Sequence, residues 1–253
     1  RSVVSQFAGL GTNILRVRSL VNDPTAGPRL VRPLTDEDAV ALRRGLVSAH
    51  RVVPIVRSMV DASRAGNTYP TMLNGVTPEY GPIHDWETQV GGHFDASDVA
   101  RRSKVCVLGA TVAQMLFGLQ SPLGGQVALG DKLTCNVIGV LEEKGLSTSG
   151  KNLDDLVLVP ITTFEAYVGA PDGYQEIEIE AVDTRLMDVL SDEARLVLRR
   201  THQLDDDDED DFKLTSPTET IRAAESVSGV LTKLLAAIAA VSDSNCRNTF
   251  GSV

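Results

Sequence analysis

The sequence predicts an α+β fold, and three observations carry that prediction. Short apolar strands with period-two alternation recur along the chain, and amphipathic helical stripes separate several of them. Two strand–helix–strand units lie one near each end, and the stretch between them is rich in strands. The expected architecture is a discontinuous subdomain of βαβ units at 1–95 and 172–228, interrupted by a small strand-rich α/β subdomain at 96–171. Residues 229–253 are set apart at the end. With 42% hydrophobic and 23% charged residues among 253, the chain has the means to bury a sizeable core. Only 4% are aromatic, so that core must rest on Val, Leu, Ile and Ala.

Taken in order, Thr12–Arg18 alternates loosely as a short strand and is followed by a Pro/Gly loop, Asp23–Pro28. Thr35 opens a helix: it caps free backbone N–H groups, Asp36, Glu37 and Asp38 suit the positive end of the dipole, and Arg43 and Arg44 suit the other. Val52–Ala62 and Thr68–Thr77 read as a hairpin turning at Gly66-Asn67, with Pro54 suggesting an edge or an irregular start. Pro78–Asp95 shows no clear periodicity. Val105–Leu108 is a short buried strand, and Ala110–Phe117 a helix ended by Gly118. Gln126–Leu129 and Lys132–Leu141 flank a turn at Gly130-Asp131. Strands follow at Leu156–Val159, Ile177–Val182 and Phe212–Thr215, and helices near Thr162–Val168 and over Leu186–Arg200. Pro217 starts a last helix, its fixed φ suited to the first turn.

Charge and motif content exclude several functions. A net charge of −10 with no basic cluster repels phosphate backbones, which argues against nucleic-acid binding. Gly145–Lys151 spells G-x-x-x-x-G-K, but Asn152 stands where a P-loop needs Ser or Thr, and a strand follows where a helix is required, so a flexible loop is expected. Gly9-Leu10-Gly11 lacks the third glycine and the context of a dinucleotide fingerprint. His84, Asp85, His93 and Asp95 have metal-ligand chemistry, but no spacing that makes them converge; surface-loop residues are the plainer reading. No catalytic, cofactor-binding or metal-binding residue is therefore assigned. The acidic run Asp205–Asp211 lacks the spaced ligands and central glycine of a calcium loop and reads as a solvated, self-repelling loop.

Cys106, Cys135 and Cys246 are too sparse for a disulfide framework. A bridge between Cys106 and Cys135 suits an oxidising compartment, but two small buried thiols are the favoured reading. From Arg1 the chain shows no charged-then-apolar leader, and no apolar run of about 18 residues. Val230–Val241 comes nearest, interrupted by Thr232 and Lys233. It reads either as a hydrophobic segment cut as it begins or as an amphipathic helix with a loose polar tail.

The order of these segments resembles the extracytoplasmic domain of MacB/FtsX-like ABC-transporter permeases. Leu10-Gly11-Thr12-Asn13-Ile14-Leu15-Arg16-Val17 is similar to the family's opening segment after its first membrane helix, and Leu34-Thr35-Asp36-Glu37-Asp38-Ala39 to the start of its first helix. Asn74-Gly75-Val76-Thr77-Pro78-Glu79-Tyr80 resembles its G-V-x-P-x-Y turn, continued by Trp86, Gly91-Gly92-His93-Phe94 and Asp98. The most distinctive block is Val105–Phe117, followed by Pro122-Leu123-Gly124 and Val137-Ile138-Gly139-Val140-Leu141; Asp155–Thr162 resembles the strand closing the insertion. His93 and Cys106 depart from the pattern.

The resemblance covers roughly Gly9 to Ala240 and implies a porter-like outer subdomain with an inserted smaller one. It implies a domain on the extracytoplasmic (periplasmic or cell-surface) side, anchored by membrane helices, with 229–253 as the start of such a helix plus a tail foreign to the family. Implied partners are an ABC ATPase subunit or domain and an extracytoplasmic adaptor, lipoprotein, peptide or hydrolase; the full-length protein would be a dimer and the isolated domain a monomer. The expected function is mechanotransmission and binding in transport or efflux, not catalysis. Two alternatives stand beside it: a free-standing secreted adaptor or binding protein of similar fold, and a hydrolase with a metal at His84 and His93.

Overall fold

This computed structural model describes residues 13–21, 31–147, 150–170 and 172–216. The N-terminal strand–helix–strand unit comprises β1 (Ile14–Ser19), α1 (Asp36–Gly45) and β2 (Ala49–Arg64). Its C-terminal counterpart comprises β9 (Glu176–Ala181), α6 (Met187–Thr201) and β10 (Phe212–Thr215), with a 3-10 turn at Thr184–Leu186. The two units interlock. β9 lies between β1 and β2, β1 lies between β9 and β10, and every neighbouring pair is antiparallel. The order β10-β1-β9-β2 is the split βαβ arrangement of ferredoxin-like sheets.

Both helices cover one face of this sheet, because their apolar stripes match its odd β1 and β9 positions. Ala39 and Leu42 of α1 and Leu190, Ala194 and Leu198 of α6 pack in one core with Leu15, Val17, Ile177 and Ile179. Each fully buried aliphatic side chain contributes about 1.5–3 kcal/mol. Thr35 caps α1 in a capping box with Asp38, whose Oδ2 accepts from the Thr35 N–H at 2.8 Å.

β2 pairs with β3 (Asn67–Val76) in a hairpin whose register runs from Ile55↔Val76 to Arg64↔Asn67. Ala65 (φ 48°) and Gly66 (φ 89°) form its two-residue turn, one position before the expected turn. Both central residues at positive φ is the type I′ pattern that suits strand twist. Pro54 is not on an edge strand: β2 is flanked by β9 and β3. The proline is accommodated because the β3 ladder begins only at Ile55, leaving Pro54 paired to Ile177 alone.

Beyond β3 the sheet continues through β8 (Leu156–Pro160), β5 (Val105–Leu108), β7 (Leu133–Leu141) and β4 (Thr88–Gly91). β6 (Gln126–Leu129) pairs with β7 and, at Ala62↔Leu129, with the far end of β2. The hydrogen bonding β2-β3-β8-β5-β7-β6-β2 thus closes a ring, packed against α4 (Ala110–Phe117) through Val112, Leu116 and Phe117. Three smaller helices complete the described structure: α2 (Tyr80–Ile83), α3 (Ala96–Arg101) and α5 (Ile161–Tyr167). The stretch without sequence periodicity therefore holds α2 and β4, too short to show a period. Pro217 onward, Gly9–Gly11, Asp23–Pro28, Val230–Val241 and Cys246 lie outside the described residues.

Cys106 and Cys135 form a disulfide, with Cα atoms 5.9 Å apart, where two buried thiols were expected. Their strands, β5 and β7, are neighbours in the sheet, and both side chains project into the same core. That places the two sulfurs in bonding range.

Candidate functional site

The second face of the interlocked sheet is charged, and two of its carboxylates, Glu176 and Glu178, are buried. On β1 the residues projecting there are Ile14, Arg16 and Arg18; β9 contributes Glu180, Glu178 and Glu176, which register opposite them. β2 contributes Arg51, Val53 and Ile55 on the other side of β9, and Arg57 two residues past the end of that pairing. Glu176 and Glu178 are 3% and 2% exposed. A buried carboxylate persists only if its charge is matched. Glu176 is met by Arg57 Nη1 at 2.9 Å, Arg16 Nε at 3.3 Å and Arg18 Nε at 3.7 Å. Glu178 is met by Arg16 Nε at 3.1 Å and His84 Nε2 at 2.7 Å, and Arg51 Nη1 reaches Glu180 at 2.5 Å. Burial alone would raise the pKa of Glu178, but the hydrogen bonds and charges of His84 and Arg16 reverse this and lower it. Burial works against the charge on Arg57 too, and Glu176 overcomes it, so its pKa is raised.

What covers this face is α2 and the turn after it. Tyr80, Ile83 and Trp86 belong to a second core with Ile14, Val53 and Ile55. Trp86 is fixed by its indole N–H, which donates to the Glu142 carbonyl at 2.7 Å. Lys144 Nζ lies 5.0 Å over the indole ring and donates to the His84 carbonyl. The cover is incomplete. A cleft of about 600 Å³ remains, lined by Arg16, Arg57, Asn74, Glu176 and Glu178 of the sheet, by Tyr80 and Trp86, and by Lys144, Lys151 and Leu153 from the stretch before β8. That size falls within the range of small-ligand sites.

Of the G-x-x-x-x-G-K segment, Leu146, Ser147 and Lys151 line this cleft, and its described residues form no helix; residues 148 and 149 lie outside the described residues. Asp154 is buried and accepts from the Lys144 and Gly145 N–H groups at 2.8 and 2.7 Å, and a Leu146↔Asn152 bridge closes the loop before β8 begins. The histidines and aspartates weighed as metal ligands are divided among different tasks. His84 faces Glu178; His93 Nε2 lies 3.1 Å from the Trp86 carbonyl; Asp95 caps α3 by accepting from Ser97 and Asp98 N–H; Asp85 sits at a positive-φ turn. Among the described residues no three His, Cys, Asp or Glu side chains are grouped to hold a metal.

A second polar cluster lies at the other face's rim. His202, at the end of α6, is buried between Asp211 (Nδ1 to Oδ1, 2.7 Å) and Asp38 (Nε2 to Oδ1, 3.4 Å). Thr201 Oγ1 donates to Asp38 at 2.5 Å, and the Arg32 N–H donates to Asp211 at 3.0 Å. The acidic run is accordingly not a self-repelling loop throughout. Asp211 is buried, Asp210 pairs with Arg195 at 2.9 Å and Arg199 at 2.7 Å, and Arg199 also donates to the Asp208 and Asp205 carbonyls. Neither His202 nor the charged ladder was singled out from sequence. The signal for the ladder is present: Arg16-x-Arg18 on one strand and Glu176-x-Glu178-x-Glu180 on another are complementary at the same period.

Sheet and helices make an α+β domain that carries a charged cleft on one face. The chain belongs to the family described as MacB-like periplasmic core domain, whose profile matches residues 1–197. It is 31% identical over 245 residues to the macrolide export ATP-binding/permease protein MacB of Rhodospirillum rubrum, covering 96% of this chain and 36% of that protein. It is 24% identical over 242 residues to the pyoverdine export ATP-binding/permease protein PvdT of Pseudomonas savastanoi, again 96% of this chain and 36% of the relative. The chain thus spans little more than a third of these relatives' length. Among solved structures, the periplasmic region of MacB from Actinobacillus actinomycetemcomitans superposes with a TM-score of 0.74 at 18% identity, covering 89% of this chain and 98% of that one. The extracellular domain of the noncanonic ABC-type transporter YknZ from Gram-positive bacteria gives 0.65 at 20% identity, covering 81% and 100%. Among the described residues no helix is long and apolar enough to cross a membrane.

Proposed function

We propose that this domain stands on the extracytoplasmic side of a cell membrane as part of an ABC-transporter permease. There it binds a partner or substrate and relays ATP-driven movement of the parent protein. The carrying observation is strand β2. It begins at Ala49, beside Ala181, and Ala181 N–H donates to the Asn13 carbonyl. Its far end, at Ala62, pairs with β6 in the closed ring. At about 3.3 Å per residue its 16 residues reach about 50 Å. Because β1 and β10 are antiparallel, the described chain leaves the sheet at Asn13 and Ser216 on that same first end. A push delivered there reaches the ring through one continuous strand.

The porter-like part at 1–95 and 172–228 and the insertion at 96–171 act in this reading as base and tip of one lever. The Cys106–Cys135 bridge supports an oxidising, extracytoplasmic location. The names of the export relatives include an ATP-binding part, which supports an ABC ATPase subunit or domain as partner; a full-length dimer, and an adaptor, lipoprotein, peptide or hydrolase as the extracytoplasmic ligand, complete the proposal. The test is to sequence the parent gene outward from the codons for Arg1 and Ala240. An apolar stretch of about 20 residues on each side is expected; a cleavable signal peptide and a stop codon would withdraw the transporter reading in favour of a secreted binding protein.

A further inference from the structure

The cleft over the charged face carries features that the fold does not require. In a chain of net charge −10, five cationic side chains line it: Arg16, Arg18, Arg57, Lys144 and Lys151. Three carboxylates line it with them, Glu176, Glu178 and Asp155, so cations exceed anions by two. Asp155 is already occupied by the hydroxyls of Thr71 (2.7 Å) and Tyr69 (3.3 Å). Arg18 touches Glu176 only at 3.7 Å and has a side chain 58% exposed, which leaves its planar donor fork available. Asn74 is the complementary oddity. It registers opposite Arg57, is only 4% exposed, and its buried Oδ1 accepts no hydrogen bond from the described residues. An unpaired buried carboxamide oxygen is costly unless something supplies an N–H. Beside these polar groups stand apolar surfaces: Trp86, Met72, Leu153, Leu156 and the exposed Leu146.

One ligand chemistry answers all three features. From the cleft we infer a binding site for the carboxyl terminus of a peptide: its carboxylate on Arg18 and Lys151, its last backbone N–H on Asn74, and an apolar terminal side chain against Trp86 and Leu153. A bare inorganic anion leaves Asn74 and the apolar wall unused; an apolar ligand leaves the surplus cations unmatched. The same chemistry comes from a free short peptide or from the end of a partner protein. The inference is independent of the relay, because binding is measured on this chain alone and its failure leaves the lever untouched.

Trp86 is the chain's only tryptophan, so its fluorescence reports on this cleft without labelling. The probe is acetyl-Ala-Ala-Leu with a free carboxylate, titrated alongside its C-terminal amide, with calorimetry as a second readout. The acid is expected to shift Trp86 emission and bind with a Kd below about 1 mM. The amide, and the variants Arg18→Gln and Lys151→Gln at exposed positions, are expected to bind about tenfold or more weakly, as the loss of one charge-assisted hydrogen bond does. Thermal melts of both variants should match the parent, which separates lost binding from lost fold. The same three residues placed at the end of a folded carrier protein distinguish the sources: binding by both shows that the site accepts a partner's terminus, and binding by the tripeptide alone restricts it to free peptides. Equal affinity for acid and amide, or no response to the acid up to several times about 1 mM, would overturn the inference.

Discussion

Replacing His202 with glutamine removes the cation that stands between Asp38 and Asp211, and the consequence for stability has a sign that depends on pH. Burial disfavours the proton on His202, but its hydrogen bond to Asp38 and the charges of Asp211 and Asp38 outweigh that cost and raise its pKa. Burial likewise pushes Asp38 up, yet hydrogen bonds from His202, Thr201 and the Thr35 N–H bring it down from 3.8 to about 2. The folded protein therefore holds the His202 proton more tightly than the unfolded chain. Its contribution is complete below about pH 6.5 and is lost as pH rises through the raised folded value. Asp38 behaves in the opposite sense: its contribution is present above 3.8 and is lost as pH falls toward 2. The cluster stabilises most between about pH 4 and pH 6.5. For Asp38 the displacement from 3.8 to about 2 corresponds to about 2 kcal/mol, or about 4–8 °C in Tm for a domain of this size. Thermal melts followed by circular dichroism from about pH 3 to 9 test this. The parent's Tm should fall on both sides of the window. His202→Gln should melt several degrees lower inside the window and lose the alkaline decline. The difference between the two curves is the readout, since it cancels groups that both proteins share. A parent Tm flat from about pH 6.5 to 9, or an alkaline decline unchanged in the variant, would refute the reasoning.

Further consequences follow from other parts of the fold. The Cys106–Cys135 bridge closes a loop of sequence separation 29, so Cys135→Ala should cost about 3–4 kcal/mol in urea denaturation; a parent chain whose intact mass rises by two iodoacetamide adducts at these positions without reductant would show the bridge to be absent. At Gly75 an added Cβ would stand 2.5 Å from the Phe164 Cβ and 2.7 Å from Val56 Cγ1, so Gly75→Ala should destabilise by about 3 kcal/mol; parent-like stability would mean that β3 and α5 are not in such close contact. Ala65, at φ 48° in the β2–β3 turn, should be improved by Ala65→Gly, with a gain of about 0.5–1 kcal/mol read from the denaturation midpoint. In sedimentation the isolated domain should behave as a monomer at all concentrations, and a concentration-independent dimer would count against the proposal that only the full-length protein pairs.

Elements with strong local signals were legible in the sequence. Helix α4 has the predicted bounds, because Ala110–Phe117 carries a continuous apolar pattern and Gly118, at φ 57°, ends it. Strand β10 likewise matches its prediction, and α1 starts where Thr35 and three acids announce it. Errors arose where pairing in three dimensions decides the outcome. Pro54 marked an edge or an irregular start; β2 is not an edge but does start irregularly, with a register shift between Ala49 and Arg51, and that β3 stops one residue short of the proline is a fact of register which no single strand encodes. The Cys106–Cys135 bridge stood as the less favoured of two readings for the same reason. Thirty residues of sequence say nothing about whether β5 and β7 are neighbours, and the choice between thiol and disulfide turns entirely on that neighbour relation.

The charged cleft shows why a site can be spelled out in a sequence and still pass unnoticed. Glu-Ile-Glu-Ile-Glu on β9 reads as a strand with an apolar face on the core and an acidic face in water. Its isoleucines do lie on the core. Glu176 and Glu178 do not face water, because Tyr80, Ile83 and Trp86, in a stretch without periodicity, fold back over them and carry His84 with them. Taken singly, each member has an ordinary explanation: a surface glutamate, a loop histidine, a lone asparagine in a hairpin. Only the register that sets Arg16 opposite Glu178, Arg18 opposite Glu176 and Asn74 opposite Arg57 turns them into one surface. Once that register is known, the burial of two carboxylates demands the guanidiniums. The excess of cationic side chains over carboxylates in the cleft, with two lysines added to three arginines, and a carboxamide oxygen without a donor among the described residues are what the proposed peptide carboxylate and N–H would answer.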